Sequence, residues 1–198
     1  MFDFTLCSAE NCENFSLSGK DFCFDHLEAE DKSRFVNECL ELIASRDVLK
    51  DIKAMRASFL DSDFSGKQFN VCNFSNCVFE NVNFSKCKLR LCFFENSRFI
   101  NCALSETQMK YCAFPGSEFL NCDFKGSDII NCSFLGSEIN DSDFSETDLY
   151  FTVFINAAIR SCNFIDCNLK RSNFLESKRQ NVSFKYSNFE EAIFGKEE

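Results

Sequence analysis

The chain has 198 residues, of which 45% are hydrophobic, and a formal net charge of −10. This length is enough for one sizeable core with a small appended segment. An acidic chain repels polyanions, which disfavours direct binding to DNA or to an anionic membrane surface. No apolar run is long enough to span a bilayer, and the first residues lack the basic start of a secretory signal. We therefore expect a cytoplasmic protein that does not bind membranes.

Residues 1–26 contain a candidate metal site. Cys7, Cys12, Cys23 and His26 have the spacing C-x4-C-x10-C-x2-H, and His26 is the only histidine in the chain. Three thiolates and one imidazole can complete a tetrahedral shell around Zn²⁺, and such soft ligands favour zinc over magnesium or calcium. The pattern resembles short zinc-knuckle segments. Since a closed four-ligand shell leaves no open position, the pattern predicts a structural zinc ion, the alternative being three free cysteines and a surface histidine in a loop.

Residues 27–56 are predicted to form a helical cap. The segment contains neither glycine nor proline from Glu28 to Arg56. Its apolar residues between Phe35 and Ile43 recur at helical spacing, and a second apolar stripe begins at Val48. We expect one helix at about residues 30–44 and another at about 46–56. Together they would cover the open end of the structure formed by the following residues.

From residue 57 onward the sequence repeats every five positions. Every fifth residue from Phe59 to Phe194 is large and apolar, with Arg179 as the one exception. Two positions before each lies Ala, Ser, Cys, Thr or Val, with Lys67 as the one exception. A period of five matches neither an α-helix nor a flat strand. The chain must therefore turn a corner about every five residues and coil into a solenoid.

Two further regularities describe the interior of this solenoid. Every tenth residue from Phe64 to Phe194 is phenylalanine, apart from Leu104. If four such units complete one coil, two opposite sides would carry stacked phenyl rings, while the other two would carry a mixed aliphatic core. The cysteines within the repeat all occupy the small inward position, where we expect reduced thiols that act as apolar fillers.

These five-residue units resemble the pentapeptide-repeat family, whose consensus is a small residue, Asn or Asp, Leu or Phe, and two variable positions. Close matches are Ser62-Asp63-Phe64, Cys72-Asn73-Phe74, Cys122-Asp123-Phe124 and Cys162-Asn163-Phe164. The resemblance implies an all-β solenoid over residues 57–198, namely a right-handed, four-sided β-helix of about seven coils with about twenty residues in each. Some members of the family mimic a DNA duplex, bind type II topoisomerases and protect gyrase from quinolones.

Acidic residues concentrate in the middle of the repeat. A twenty-residue coil would align Glu118, Asp123 and Asp128 with Glu138, Asp143 and Asp148. The candidate interaction patch consists of Glu118, Asp123, Asp128, Glu138, Asp141, Asp143, Glu146 and Asp148. It is either ordinary solvated charge or an electrostatic docking surface for a partner protein.

The sequence contains no chemistry typical of an enzyme. It has no Gly-rich phosphate loop, and its one histidine belongs to the candidate metal site, so no catalytic triad is expected. Two hypotheses remain: a non-catalytic protein–protein interaction or scaffold module, and a DNA-mimicking gyrase binder. Gyrase binders of the family are typically dimers joined at their carboxyl ends, whereas here the repeat runs on without a dimerisation helix. The chain would be a monomer or an end-to-end dimer.

Overall fold

The computed structural model describes residues 5–195. A short 3-10 turn at Phe24–His26 precedes one α-helix, α1, at Ala29–Ser45. None of the helices in this described range is long and apolar enough to cross a membrane. Short strands follow: β1 (Val48–Lys50), β2 (Ser58–Leu60), β3 (Gln68–Asn70), β4 (Val78–Glu80), β5 (Lys88–Arg90), β6 (Arg98–Ile100), β7 (Gln108–Lys110), β8 (Glu118–Leu120), β9 (Asp128–Ile130), β10 (Glu138–Asn140), β11 (Ala158–Arg160) and β12 (Lys178–Gln180).

The strands stack in a four-sided parallel solenoid of about seven coils. Each strand pairs with the one that lies a full coil later, so that Leu49 faces Phe69 and Ile139 faces Ile159. The order β1-β3-β5-β7-β9 forms one sheet, and β12-β11-β10-β8-β6-β4-β2 forms the other. Isolated parallel bridges, which also join residues twenty positions apart, form the two remaining sides. The predicted all-β solenoid with twenty residues per coil is confirmed.

The corners of the coil explain the polar part of the repeat. Every fifth residue from Asp51 to Glu191 has a positive φ, which glycine and asparagine adopt at the lowest cost. The Asn or Asp before the large residue stabilises the next turn, because its side chain accepts a hydrogen bond from the backbone N–H two residues later. Asp63 Oδ1 accepts from Ser65 N at 3.0 Å, for example, and Asn73 Oδ1 from Ser75 N at 2.9 Å.

The interior consists of phenyl columns on two opposite sides, as the ten-residue pattern predicts. Phe144 stacks between Phe124 and Phe164, with ring centroids 4.2 and 4.8 Å away. On the opposite side, Phe154 stacks between Phe134 and Phe174 at 5.0 and 4.6 Å. Stacked rings at these distances add to the free energy gained from burial of their apolar surface.

The inward cysteines are free, buried thiols. Cys87 Sγ donates to the carbonyl oxygen of Phe64 at 2.8 Å, and Cys167 Sγ donates to that of Phe144 at 2.9 Å. Burial raises the pKa of Cys87 to about 12 and that of Cys167 to about 11. These thiols therefore stay protonated at neutral pH and pack as small apolar groups, as predicted.

Helix α1 covers the first coil, and the two exceptions to the repeat lie near the ends of the solenoid. Phe35, Cys39 and Ile43 of α1 belong to the same buried cluster as the core of the solenoid. Lys67 Nζ lies 3.4 Å from the carbonyl oxygen of Ala44, so it satisfies a free acceptor at the carboxyl end of α1. At the other end, the Arg179 guanidinium lies 5.1 Å from the centroid of the Phe194 ring.

The predicted second helix over residues 46–56 is wrong. Val48–Lys50 form strand β1, which pairs with β3, and Leu49, Ile52 and Ala54 are buried in the solenoid. The inward positions of the repeat alternate by two and three residues, so a short apolar stretch of this kind also matches helical spacing. The open backbone edge of β3 decides the outcome, because only a strand can pair with it.

Candidate metal centre and outer surface

The segment before α1 folds as a short hairpin that brings the four predicted ligands together. Leu6 and Phe15 form an antiparallel bridge, and Cys7 N donates to the carbonyl oxygen of Asn14 at 2.8 Å. The 3-10 turn then places Cys23 and His26 side by side, with His26 N donating to the carbonyl oxygen of Cys23 at 3.1 Å. The hairpin supplies the first two cysteines and the turn supplies the other pair.

The geometry of this cluster fits a tetrahedral zinc ion. The ligand atoms of Cys7, Cys12, Cys23 and His26 all lie within 4.8 Å of one another. His26 Nδ1 is 3.4 Å from Cys7 Sγ and 3.3 Å from Cys23 Sγ, while Cys12 Sγ is 3.9 Å from Cys23 Sγ. Zinc bonds of about 2.3 Å to sulfur and about 2.0 Å to nitrogen require separations of about 3.8 Å between two sulfurs and about 3.5 Å between sulfur and nitrogen.

Hydrogen bonds to sulfur favour the thiolate form at this cluster. Cys23 N donates to Cys7 Sγ at 3.2 Å, and Asn14 Nδ2 lies 3.8 Å from Cys23 Sγ. Desolvation raises the pKa of Cys7, but backbone hydrogen bonds from Cys23 and Ala9 outweigh it, so the pKa is lowered. Burial instead raises the pKa of Cys87 and Cys167 inside the solenoid. A backbone hydrogen bond from Asn14 lowers the pKa of Cys12, but burial and the neighbouring sulfurs of Cys7 and Cys23 outweigh it, so that pKa is raised. The cluster suits a metal ion because its four ligand atoms lie close together.

The metal-site segment is joined to the first coil by several contacts. Ser18 N donates to the carbonyl oxygen of Lys53 at 2.9 Å, and Lys53 N donates to Ser18 Oγ at 2.7 Å. Arg56 forms an ion pair with Asp25 at 3.3 Å, and Leu17 is buried in the common core. A metal ion here would therefore stabilise the segment that leads into α1 and covers the start of the solenoid.

The eight residues of the candidate acidic patch lie on three different sides of the solenoid. Glu118 and Glu138 pair in the seven-stranded sheet, whereas Asp128 and Asp148 continue the five-stranded sheet on the opposite side. Asp123 and Asp143 pair on the side between them. Asp141 and Glu146 have positive φ and occupy the two corners that flank this side. The structure thus does not bring the eight carboxylates together on one surface.

Several of these carboxylates also have local partners. Glu118 forms an ion pair with Arg98 at 2.8 Å, and Glu146 forms one with Lys125 at 3.0 Å. Asp143 Oδ1 accepts hydrogen bonds from the backbone N–H and the hydroxyl of Ser145, at 2.9 and 2.5 Å. These contacts stabilise turns and neighbouring coils, so part of the acidic pattern has a structural cause.

Sequence reasoning missed a basic surface on the five-stranded sheet. Lys50 of β1, Lys88 and Arg90 of β5 and Lys110 of β7 are all exposed on its outer face. Their alignment follows from the twenty-residue register, which places Arg90 beside Lys110. The signal was present in the sequence, but only after each residue is assigned to a side of the coil.

Comparison with solved structures finds several similar proteins. Trypsin-treated QnrB1, a plasmid-mediated fluoroquinolone resistance protein, is 18% identical and aligns over 70% of this chain and 73% of its own, with a TM-score of 0.60. HetL, involved in heterocyst differentiation regulation in the cyanobacterium Nostoc sp. strain PCC 7120, is 9% identical over 85% of this chain and 95% of its own, with a TM-score of 0.35. A thylakoid lumen protein of Arabidopsis thaliana is 26% identical over 48% of this chain and 59% of its own, with a TM-score of 0.28.

The likeness to QnrB1 concerns the fold alone, and no curated protein sequence matches the chain. Two family models match overlapping parts of the repeat. "Pentapeptide repeat region" covers residues 67–143, and "Pentapeptide repeats (8 copies)" covers residues 137–174. Together they span more than half of the chain and agree with the corners and phenyl columns described above. This chain belongs to the pentapeptide-repeat family.

Proposed function

We propose that the protein is a non-catalytic interaction module, a rigid rod that presents fixed arrays of side chains to a partner protein. The observation that supports this most directly is that each five-residue unit has separate inward and outward positions. The large and small residues fill the core, so only the remaining positions are free to vary on the outside. A backbone paired coil by coil holds those outward side chains at regular spacing, which lowers the entropy lost on binding.

Affinity capture from a native extract, followed by binding with purified components, tests this proposal. We expect a partner that binds the wild-type chain saturably and in a defined ratio. Charge reversal of two residues of the candidate acidic patch, Glu138→Lys with Asp141→Lys, shows whether these acidic residues take part in binding. Asp143 is left unchanged because its carboxylate stabilises a turn. The interaction role would be contradicted if none of the purified candidate partners binds the wild-type chain.

We also propose that Cys7, Cys12, Cys23 and His26 bind one Zn²⁺ ion with a structural role. The close approach of four soft ligand atoms supports this proposal. The four residues would close the coordination shell, so the ion would hold the hairpin and the 3-10 turn together without taking part in a reaction.

Metal analysis of protein purified without added zinc tests the metal site. We expect one zinc ion per chain in the wild type and its loss in Cys12→Ser. Cys39→Ser is the matched control, because Cys39 is a buried thiol of α1 outside the cluster and should not affect zinc content. An intact fold without stoichiometric zinc would contradict the proposal.

Binding to a type II topoisomerase as a DNA mimic is the second candidate function. The similarity in fold to the quinolone resistance protein QnrB1 favours it. The distribution of acids over three sides and the basic surface of the five-stranded sheet count against a duplex-like charge pattern. A gyrase supercoiling assay with a quinolone tests this function. Protection or inhibition of gyrase at micromolar protein would support it, and the absence of both effects would rule it out.

We further propose that the protein works in the cytoplasm. All fourteen cysteines are free thiols, and ten of them stack inside the solenoid, which suits a reducing compartment. Thiol labelling of protein denatured directly from cells should find these cysteines reduced. Extensive oxidation of the freshly isolated chain would contradict this location.

A further inference from the structure

One corner of the solenoid carries large apolar side chains in a conformation that normally favours glycine or asparagine. Val71, Leu91, Tyr111 and Phe151 form this apolar corner, with Asn131 between Tyr111 and Phe151, and the φ angles of the four apolar residues lie between 53 and 59°. The left-handed region is costly for such residues, most of all for a β-branched valine. In the other three corner columns, the described residues are polar, charged or glycine, apart from Tyr186 in the last coil.

Three of these four side chains are also exposed and Val71 is half-buried, so burial in the core does not explain the apolar corner. The exposed fractions are 39% for Leu91, 52% for Tyr111 and 48% for Phe151. The strained backbone and the exposed apolar surface are each unfavourable for an isolated chain. Such positions are typical of surfaces that contact another molecule.

Cations adjoin this corner directly. Arg90 precedes Leu91, Lys110 precedes Tyr111, and Lys88 lies on the same strand as Arg90. Within the part of the chain that the structure describes, none of these three cations has a carboxylate oxygen within 4.0 Å. This contrasts with Lys86 and Arg98 nearby, which pair with Glu106 and Glu118.

The basic and apolar side chains form one compact surface because of the strand register. Arg90 is paired with Lys110 across adjacent strands, and Leu91 N donates to the carbonyl oxygen of Lys110 at 3.0 Å. Neighbouring strands are about 4.8 Å apart, so the charged and apolar side chains of the two coils lie within one small area.

The surroundings of this surface restrict what can bind there. The net charge of the chain is −10, and Asp128 and Asp148 continue the same side of the solenoid beyond Lys88. An extended polyanion, such as a nucleic acid, would run from the cations onto these carboxylates and be repelled. A short segment with a few carboxylates beside apolar side chains matches both the small extent and the mixed chemistry of the surface.

We propose that Lys88, Arg90, Lys110, Leu91 and Tyr111 form a docking surface for a short acidic peptide segment of a partner protein, one in which carboxylates adjoin large apolar side chains. This inference rests on the proposed interaction function and adds to it the surface and the chemistry of the partner. The cations pair with the carboxylates, and the apolar corner packs against the apolar side chains.

Selection from a phage-displayed random peptide library on the full chain provides the test. We expect the enriched peptides to combine Asp or Glu with Leu, Ile or Phe, and to bind more weakly as salt concentration rises. The charge reversal Lys88→Glu, Arg90→Glu and Lys110→Glu should weaken their binding by about tenfold or more. The matched control reverses Arg160, Lys178 and Lys185, which are also exposed, and should leave binding unchanged.

The apolar part is tested by Leu91→Asn with Tyr111→Asn. Asparagine suits the positive φ at both positions, so this variant should fold at least as stably as the wild type while it weakens peptide binding. A folded double variant with unchanged peptide binding would overturn the apolar part of the proposal.

Further outcomes separate this inference from the proposed function. If the selected peptides bind the Lys88, Arg90 and Lys110 reversal variant with the same affinity as the wild type, the proposed docking surface is overturned. The interaction function would not be affected by that result. Enrichment of no peptide would overturn the surface as well, and so would binding of an RNA oligonucleotide or a phosphatidylserine vesicle there instead. Failure of the proposed function itself would show in the affinity capture, as the absence of any partner for the wild-type chain.

Discussion

Truncation of one ring in a phenyl column should be among the most destabilising single changes in the solenoid. Phe144 is 0% exposed and stacks between two rings at 4.2 and 4.8 Å. Phe144→Ala removes this buried side chain and leaves a cavity between rigid, paired coils, so we expect a loss of about 3–5 kcal/mol in the free energy of unfolding. Phe189 is 49% exposed, and Phe189→Ala should cost about 1 kcal/mol or less.

Denaturation by guanidinium chloride, followed by circular dichroism, measures both losses. Phe144→Leu is the informative control, because Leu104 occupies the equivalent position two coils earlier in the same column. It should cost only about 1–1.5 kcal/mol. Equal losses for Phe144→Ala and Phe189→Ala, or a loss below about 1 kcal/mol for the former, would refute the assignment of stability to the stacked core.

Three further changes test other parts of the structure. Val71→Asn should raise the melting temperature, because it relieves a strained positive φ worth about 1 kcal/mol, and a lower melting temperature would contradict the strain argument. Asp143→Ala should cost about 1 kcal/mol through its lost turn hydrogen bonds, whereas Asp141→Ala should have little effect in the same denaturation assay. The pKa of Cys167 is raised from 9.0 to about 11, so its contribution to stability is complete below pH 9 and is lost as pH rises through about 11. Each pH unit between 9 and about 11 should lower the free energy of unfolding by about 1.4 kcal/mol. Cys167→Ala should reduce this alkaline loss in unfolding experiments at several pH values.

The solenoid was predictable because its interior leaves little choice of residue. When each side of a coil buries one large and one small side chain, these residues must recur with the spacing of the corners. That five-residue spacing is visible directly in the sequence. The metal cluster was predictable for a different reason. Its ligands come from one hairpin and one turn, so their proximity depends on short-range spacing rather than on how distant elements pack.

The outer surface was not predictable from clustering along the sequence. Glu118 and Asp128 are ten residues apart, which is half of a coil, so they lie on opposite sides of the solenoid. Neighbours in space are separated by twenty residues instead, as Arg90 and Lys110 show. A charge pattern on this fold has meaning only after each residue is assigned to its side, which the position within the five-residue unit does not specify.

The exceptions to the repeat help to explain how a solenoid accommodates charge at its ends. A cation at an inward position is tolerated only where its charged group can leave the core or meet an acceptor. Lys67 extends to the carbonyl oxygen of Ala44 and the carboxylate of Asp47, just after α1 ends. Arg179 lies over the ring of Phe194, where the negative face of the aromatic system attracts the guanidinium. Because Leu49 and Ala54 continue the buried pattern before Lys67, this cation marks contact with the covering helix α1 rather than the first residue of the repeat.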